Sequence, residues 1–280
     1  MRHDIAERSG RLINQETMEQ TKTLTGYLRE NWNLLSYRVW ADLRNESRQL
    51  YIGSFWWILE PLAHMSVLYL VFGVILQRGG PGFVGFLLVG FAFWRWMDNA
   101  IKKAAQSLVT GKVILTQFKL PHWLFPLTDV LSASMRFLVV LCLLILFSVI
   151  YSGQFGIGYL ALPPLLILNL LFIYGLGLLF ACIVPFFPDS KKIIDNLFQL
   201  LFFASGIFFD FRQVGEIGEL VLRWNPFAAF LACYRDILLE GSFPSPDLLA
   251  APVIATFCVL IACTLVYRQL RLKLPKALLR

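Results

Sequence analysis

Residues 125–151 read FPLTDVLSASMRFLVVLCLLILFSVIY, a stretch that is almost uninterruptedly apolar after Arg136. A helix of this length rises roughly 40 Å at about 1.5 Å per residue, which exceeds the roughly 30 Å hydrocarbon core of a bilayer. The stretch therefore predicts a membrane-spanning helix.

Similar apolar blocks lie on both sides of this one. Of the 280 residues, 58% are hydrophobic and 15% are charged, whereas a soluble domain is about half apolar and about a quarter charged. Short polar connections separate the blocks, so the apolar residues do not form one large core. We therefore predict an all-α integral membrane protein with six transmembrane helices, at residues 54–76, 83–101, 125–151, 159–185, 193–211 and 248–267.

The chain before the first span has two parts. Residues 1–22 form a polar N-terminal tail. Between residues 23 and 50, leucines and a valine recur at helical spacing, and four arginines lie elsewhere around the helix. This pattern predicts an amphipathic, basic helix in the membrane interface. The alternative is a soluble surface helix.

Lys and Arg are distributed unevenly among the connections. With the N-terminus inside, nineteen of them lie on the cytoplasmic side and four outside, at Arg78, Arg212, Arg223 and Arg235. Cytoplasmic connections are the ones enriched in Lys and Arg, so both termini are predicted to be cytoplasmic. The net charge of +7 then reflects orientation in the membrane, and we predict no nucleic-acid partner.

The outer connection, residues 210–247, contains two short helical patterns. Asn225 and Pro226 form an N-cap and first-turn pair that opens the second helix, and Gly241 follows its end. Two short, mostly apolar helices between the last two spans predict a re-entrant hairpin at residues 213–241 that dips into the outer leaflet.

The sequence lacks the motifs of common hydrolytic and metal sites. It contains neither a GxxxxGK[ST] phosphate-binding loop nor HExxH. Its five cysteines show neither metal-ligand nor disulfide-framework spacing. We therefore predict no catalytic residue, no metal site and no cofactor in this chain, so that any ATP is handled by another protein.

Ionisable residues inside the predicted spans mark a candidate site. Each costs roughly 3 kcal/mol at the centre of a membrane helix, so each should face a partner or a wet cavity. Glu60 and Arg95 lie at matching depth in antiparallel spans, His64 is one turn from Glu60, and Asp98 is one turn from Arg95. We predict a polar cluster with a Glu60–Arg95 pair, which serves either the substrate path or helix packing alone.

Arg136 lies deeper, in the third span. Its nearest carboxylate on the same helix face, Asp129, is two turns away, so Arg136 is the stronger candidate for contact with an anionic substrate. Trp56, Trp57 and Trp94 belong to aromatic groups that could stack on sugar rings in a substrate path. Aromatic residues also gather at bilayer interfaces for purely structural reasons.

Four segments carry a resemblance to a known family. Residues 48–79, RQLYIGSFWWILEPLAHMSVLYLVFGVILQRG, resemble the first span of the type-2 ABC exporter permeases, and WWILEPLAH is similar to the capsular polysaccharide permeases of Gram-negative bacteria. FLLVGFAFW (86–94), KVILTQFKLP (112–121) and LRWNPFAAFLACYRDILLEG (222–241) follow in the same order.

The resemblance implies an export permease of the bacterial inner membrane that works as a homodimer with two copies of a separate nucleotide-binding ATPase, which binds ATP and Mg. It implies a lipid-linked polysaccharide as substrate, and a periplasmic adaptor and an outer-membrane channel as further partners. A coupling helix at 111–120 would dock on the ATPase, and the 213–241 hairpin would gate the outer end. The residues so implied are Gly111, Lys112, Phe118, Lys119, Leu120 and Pro121 for coupling, and Trp224, Asn225, Pro226, Tyr234 and Arg235 for the gate.

Two alternatives remain at this stage. A related exporter could carry O-antigen, teichoic acid or a small lipophilic compound. A secondary transporter is a different class, but such proteins often have corresponding broken helices in two halves, and this sequence shows one irregular region. The sugar repeat and the lipid anchor have no readable signature.

Overall fold

The computed structural model describes residues 24–49, 55–75, 82–118, 120–152 and 156–278, so the predicted tail lies outside the described residues. The described residues form helices and their connections, with no strand among them. The predicted all-α class is therefore confirmed.

The helices follow one another along the chain with short connections. They are α1 (Leu24–Gln49), α2 (Trp56–Leu68, continued by a π-helical stretch, Tyr69–Ile75), α3 (Phe83–Thr110), α4 (Lys112–Gln117), α5 (Leu124–Ser152), α6 (Leu162–Ile183, after a 3-10 turn, Ile157–Ala161), α7 (Ser190–Ala204), α8 (Glu216–Trp224, after a 3-10 turn, Phe211–Gln213), α9 (Pro226–Leu239), α10 (Pro246–Leu270) and α11 (Leu274–Leu278).

Three helical stretches among the described residues are long and apolar enough by themselves to cross a membrane. They are Leu124–Ile150, Ile157–Ile183 and Pro246–Leu270, which match the third, fourth and sixth predicted spans. Helices α2, α3 and α7 carry more charge or are shorter, so their crossing of the membrane stays a prediction.

Helix α3 is longer than the predicted second span. We predicted that the span ends at Ile101 and that a connection starts at Lys102, but the helix continues to Thr110. Residues 102–110 contain neither proline nor glycine, and Gly111 is the first residue that disfavours helix. Lys102 and Lys103 therefore project from a helix and not from a loop.

Helix α3 is also the centre of the packing. It contacts α2, α5, α6, α7 and α9, and Phe93, Met97, Ile101 and Ala104 are fully buried along its length. These residues belong to the main hydrophobic core, which α9 shares. A second core joins α1, α3, α5, α6, α10 and α11 beneath α4, and its buried members are Leu35, Leu108, Leu124, Phe125, Leu178, Ala181, Cys182, Cys263, Leu274 and Leu278.

Helix α7 ends at Ala204 and not at Phe211, where the predicted fifth span ended. Its 15 residues extend roughly 22 Å at about 1.5 Å per residue. Gly206 adopts φ +68°, a left-handed conformation that glycine tolerates without a steric penalty. The chain turns there and leads into the hairpin formed by α8 and α9.

The end signals predicted for α9 are confirmed. The Asn225 side chain accepts hydrogen bonds from the backbone N–H groups of Phe227 and Ala228, and Pro226 is the first helical residue. Beyond the helix end, Gly241 adopts φ +64°, as expected for a glycine that follows a helix.

Helix α1 lies against α5. Leu35 and Val39 are buried, and the Arg38 guanidinium lies 3.8 Å from the centre of the Phe125 ring. Burial lowers the pKa of Arg38, while the carboxylates of Asp129 and Asp42 partly offset this effect. The two helices are therefore joined by apolar, cation–π and ionic contacts.

Candidate functional site

A cleft of about 310 Å³ lies between α2, α3 and α5. The lining residues on α3 recur at helical spacing, and so do those on α5, because each helix turns one face toward the cleft. The cleft brings together four residues that the sequence predicted for the substrate path: Glu60, His64, Arg95 and Arg136. The lining residues are Glu60, His64, Phe91, Ala92, Arg95, Trp96, Asn99, Lys103, Ala133, Arg136, Phe137 and Val140.

The predicted pair between Glu60 and Arg95 is confirmed. A nitrogen of the Arg95 guanidinium donates to a carboxylate oxygen of Glu60. His64 lies one turn further along α2, and its Nδ1 is 2.8 Å from the backbone carbonyl oxygen of Glu60. The imidazole stacks on the Phe91 ring, with 5.5 Å between the ring centres. Helices α2 and α3 therefore meet through both a polar and an aromatic contact.

The remainder of the cleft combines positive charge with aromatic surface. The described lining residues include three cationic side chains, Arg95, Lys103 and Arg136, against the single carboxylate of Glu60. Trp96 stacks on Phe137 with 4.4 Å between ring centres, and its indole N–H donates to Ser134 over 3.1 Å. This arrangement suits an anionic ligand that also presents flat or apolar faces.

Arg136 is tied to α1, which the sequence did not predict. The carboxylate of Asp42 on α1 interacts electrostatically with Arg136. Asp129 on α5 interacts in the same way with Arg38 on α1 and with Lys103 on α3. A carboxylate of another helix thus contributes to the charge compensation of Arg136, and the α5 wall of the cleft interacts electrostatically with α1.

Some predicted residues lie elsewhere. Asp98 is 2.6 Å from Lys102 in an ion pair on α3 and does not line the cleft. Trp94 is buried on another side of α3, where it packs against Phe198, Phe202 and Phe227. Trp56 is exposed outside the cleft. The side chain of Trp57 lies outside the described residues.

The residues predicted for coupling surround α4. Gly111 is buried between α3 and α4, where a side chain would collide with the Phe125 ring. Phe118 is 60% exposed, whereas Leu120 packs against the second core. Lys112 starts α4 and Pro121 follows its end, and Lys119 lies outside the described residues.

The residues predicted for the outer gate make many contacts at α9. Asn225 donates through its amide to the carbonyl of Ala204 at the end of α7, over 3.0 Å. Arg235 is buried and donates to the carbonyls of Phe86, Gly206 and Ile207, over 3.3, 2.9 and 3.2 Å. Tyr234 is fully buried, receives a hydrogen bond from Asn169 and stacks on Phe93. Trp224, just before Asn225, is 77% exposed.

The sequence profile of the ABC-2 type transporter family matches residues 34–239, which include the cleft, α4 and the hairpin. The chain belongs to the ABC-2 type transporter family. Its helical architecture and its long apolar helices agree with this membership.

Curated relatives of this ABC-2 transporter are similar over most of their length. The O-antigen export system permease protein RfbA of Myxococcus xanthus is 27% identical over 241 residues, which are 85% of the chain and 92% of the relative. RfbA of Klebsiella pneumoniae is 22% identical over 78% of the chain and 83% of the relative. The polysialic acid transport protein KpsM of Escherichia coli is 24% identical over 71% of the chain and 79% of the relative.

Several cleft residues of this ABC-2 transporter were missed at the sequence level. Asn99 and Lys103 follow Arg95 at helical spacing on α3. The signal was present in the sequence, but the prediction placed Lys103 in a connection because it ended the span at Ile101. The link from Asp42 to Arg136 joins residues far apart in the chain, and no local pattern reveals it.

Proposed function

We propose that this chain is the transmembrane permease subunit of an ATP-driven exporter that moves lipid-linked polysaccharide out of the bacterial cytoplasm. The observation that carries the proposal is the cleft between α2, α3 and α5. Its cationic side chains suit an anionic polymer or a phosphate-bearing anchor, and its aromatic faces suit sugar rings. The names of the curated relatives support a polysaccharide as the cargo.

Capsular polysaccharide, indicated by the sequence motifs, is the first candidate cargo. O-antigen is the second, and a specific observation favours it: the relative named for O-antigen export aligns with 85% of the chain. The relative named for polysialic acid aligns with 71%. Both cargoes are long polymers that are exported to the cell surface, and the cleft chemistry serves either one.

We propose six spans, with α2, α3 and α7 crossing the inner membrane alongside the three long apolar helices and with both termini cytoplasmic. The α8–α9 hairpin would re-enter from the outer side. Contacts at its tip support this topology: Phe227, two residues after Asn225, packs against Trp94 and Phe172, which lie near the middle of α3 and α6. The tip would therefore reach the middle of the bilayer.

We further propose that this permease works with a separate nucleotide-binding ATPase, because the sequence has no phosphate-binding loop of its own. The family resemblance supports a homodimer with two copies of that ATPase. Helix α4 would be the coupling helix that docks on this subunit. A periplasmic adaptor and an outer-membrane channel would receive the polymer.

The test uses Arg136, which lines the cleft. Arg136→Gln should leave the protein abundant and bound to its ATPase, yet polymer should accumulate in the cytoplasm. Arg136→Lys should restore part of the export, because the positive charge survives although the planar geometry of the guanidinium does not. Arg44→Gln is the matched control, since Arg44 is exposed on α1 away from the cleft.

Immunoblotting and chemical analysis of intracellular and surface polymer measure these outcomes. Unchanged export in Arg136→Gln would remove Arg136 from the substrate path. Loss of the folded protein in that variant would assign Arg136 to the fold, through its link to Asp42.

A further inference from the structure

The C-terminal helix α11 supports the proposed coupling helix. It packs against α4, and its residues Leu274 and Leu278 are buried in the second core. Leu115 on α4 and Leu120 just after it pack against the same core. Helix α11 therefore lies beneath α4.

Helix α4 needs such support because it has only six residues, and isolated helices shorter than about 12 residues are not stable in water. Its position depends on what it packs against. Where α3 meets α4, the Phe125 ring of α5 fills the space beside Gly111. Helix α11 also packs against α4, and its residues Leu274 and Leu278 belong to the core against which Leu115 of α4 packs.

The exposed surface around α4 and α11 has a distinct chemistry. Val113, Ile114 and Phe118 are exposed apolar residues at α4, and Leu272 is 79% exposed just before α11. Residues 268–278 add exposed cations and contain no carboxylate. These cations are Arg268, Arg271, Lys273 and Lys276. Exposed apolar residues on α4 beside exposed cations on and just before α11 fit a partner surface that combines apolar and acidic side chains.

We propose that residues 271–278 form the second half of the ATPase-docking surface. Leu274 and Leu278 hold α4 in its docking position, and Lys273 and Lys276 contact acidic side chains of the ATPase. This inference rests on the proposed function, because the partner is the nucleotide-binding subunit of the same exporter.

The first experiment tests the support of α4. The chain is co-expressed with a separately tagged ATP-binding-cassette subunit from the same host, and the complex is purified in a neutral detergent. The Leu274→Ala and Leu278→Ala double variant should retain much less ATPase than the wild type, because the space beneath α4 is no longer filled. Leu265→Ala is the matched control, since Leu265 is exposed on α10, and it should retain the wild-type amount.

The second experiment tests these cations without disturbing the core. Lys276→Glu should weaken the association roughly tenfold at low salt and reduce its dependence on salt, as expected for a charge at the rim of an interface. Lys192→Glu makes the same charge change at an exposed position near the start of α7 and should leave the association unchanged. Detergent without anionic lipid keeps membrane binding out of this measurement.

The outcomes separate the inference from the proposed function. If the wild type retains the ATPase and all the variants retain it equally, the inference is overturned and the proposed function stands. If Lys276→Glu affects only binding to vesicles that contain anionic phospholipid, the cations contact the membrane and the inference is overturned. If the wild type retains no ATPase, the proposed function fails, and the inference fails with it.

Discussion

At the scale of single residues, Arg235 is a buried side chain that several partners hold at once. Its guanidinium donates to one carbonyl of α3 and to two carbonyls just beyond α7, and it lies 3.4 Å from the centre of the Phe86 ring. The family resemblance implied Arg235 only as a residue of the outer gate. Its partners are backbone carbonyls far away in the chain, which leave no pattern in the side chains.

Gly90 provides a test of this arrangement, because a Cβ there would collide with the Arg235 guanidinium. Gly90→Ala should lower the stability of the purified protein by about 1 to 3 kcal/mol, the usual cost of overpacking. Gly85→Ala is the matched control on the same helix. Its Cβ would meet the flexible end of Leu239 at 3.2 Å, which can move aside.

The Arg235→Met background makes this test specific. With the guanidinium removed, Gly90→Ala should cost little, and thermal unfolding of the single and double variants in detergent measures the difference. An equal cost in both backgrounds would contradict the close contact between Gly90 and Arg235.

A second residue-scale prediction concerns the pair between Glu60 and Arg95. Glu60→Gln and Arg95→Gln should each reduce the amount of folded protein, and exchanging the two residues should recover part of it. Both side chains are partly exposed, so a coupling free energy of about 1 kcal/mol or less is expected. Folded protein in membranes, measured by fluorescence-detected size exclusion, gives the double-mutant cycle. Strictly additive losses would show that the pair contributes nothing to assembly.

At the scale of elements, periodicity and end signals predicted most helices. The amphipathic pattern of α1 and the N-cap at Asn225 are local features, and the structure contains both of these helices. The predicted C-terminal ends of α3 and α7 were wrong. Charged residues at Lys102 and Lys103 resembled the end of a span, and the contacts that end α7 come from the distant residues Asn225 and Arg235.

The same limit applies to the cleft. Glu60, His64, Arg95 and Arg136 were predictable, because charge inside an apolar segment is conspicuous in a sequence. The sequence could not distinguish Trp94 and Asp98 from these cleft residues, because the rotation of α3 about its own axis decides which face each side chain occupies. Only the packing of α3 shows that Trp94 faces α7 and α9 and not the cleft.

The element-scale prediction concerns coupling through α4. Phe118 and Leu120 are both apolar residues of the predicted coupling segment, but Leu120 packs against the second core and is therefore unsuitable for replacement by Asp. Val113 replaces it in the test, because Val113 is 65% exposed. The Val113→Asp and Phe118→Asp double variant should separate the ATPase or uncouple hydrolysis from export, since a carboxylate is costly in an apolar interface.

Val214→Asp is the control, because Val214 is exposed before α8 on the side predicted to be periplasmic. Co-purification and polymer export are the measurements. Normal association together with normal export in the α4 variant would remove α4 from the coupling interface.

At the scale of the whole molecule, the proposed topology predicts which side of the membrane each connection reaches. In a variant without the natural cysteines, Glu216→Cys should react with a membrane-impermeant maleimide added outside spheroplasts. Gln117→Cys should react only after lysis. Both positions are exposed, so accessibility within the protein does not limit either reaction. The opposite labelling pattern would reverse the orientation, and labelling of both positions from outside would contradict the proposed span count.

The continuity of α3 has a mechanical consequence. Its 28 residues extend about 42 Å at about 1.5 Å per residue, and no proline interrupts them. Helices kink sharply at prolines or at similar irregularities, so we expect α3 to move as one rigid helix. Its C-terminal end joins α4, and near its N-terminal end the carbonyl of Phe86 accepts a hydrogen bond from Arg235. If a partner displaces α4, we therefore expect the α8–α9 hairpin to move with it, without any relay of side chains between the two ends of α3.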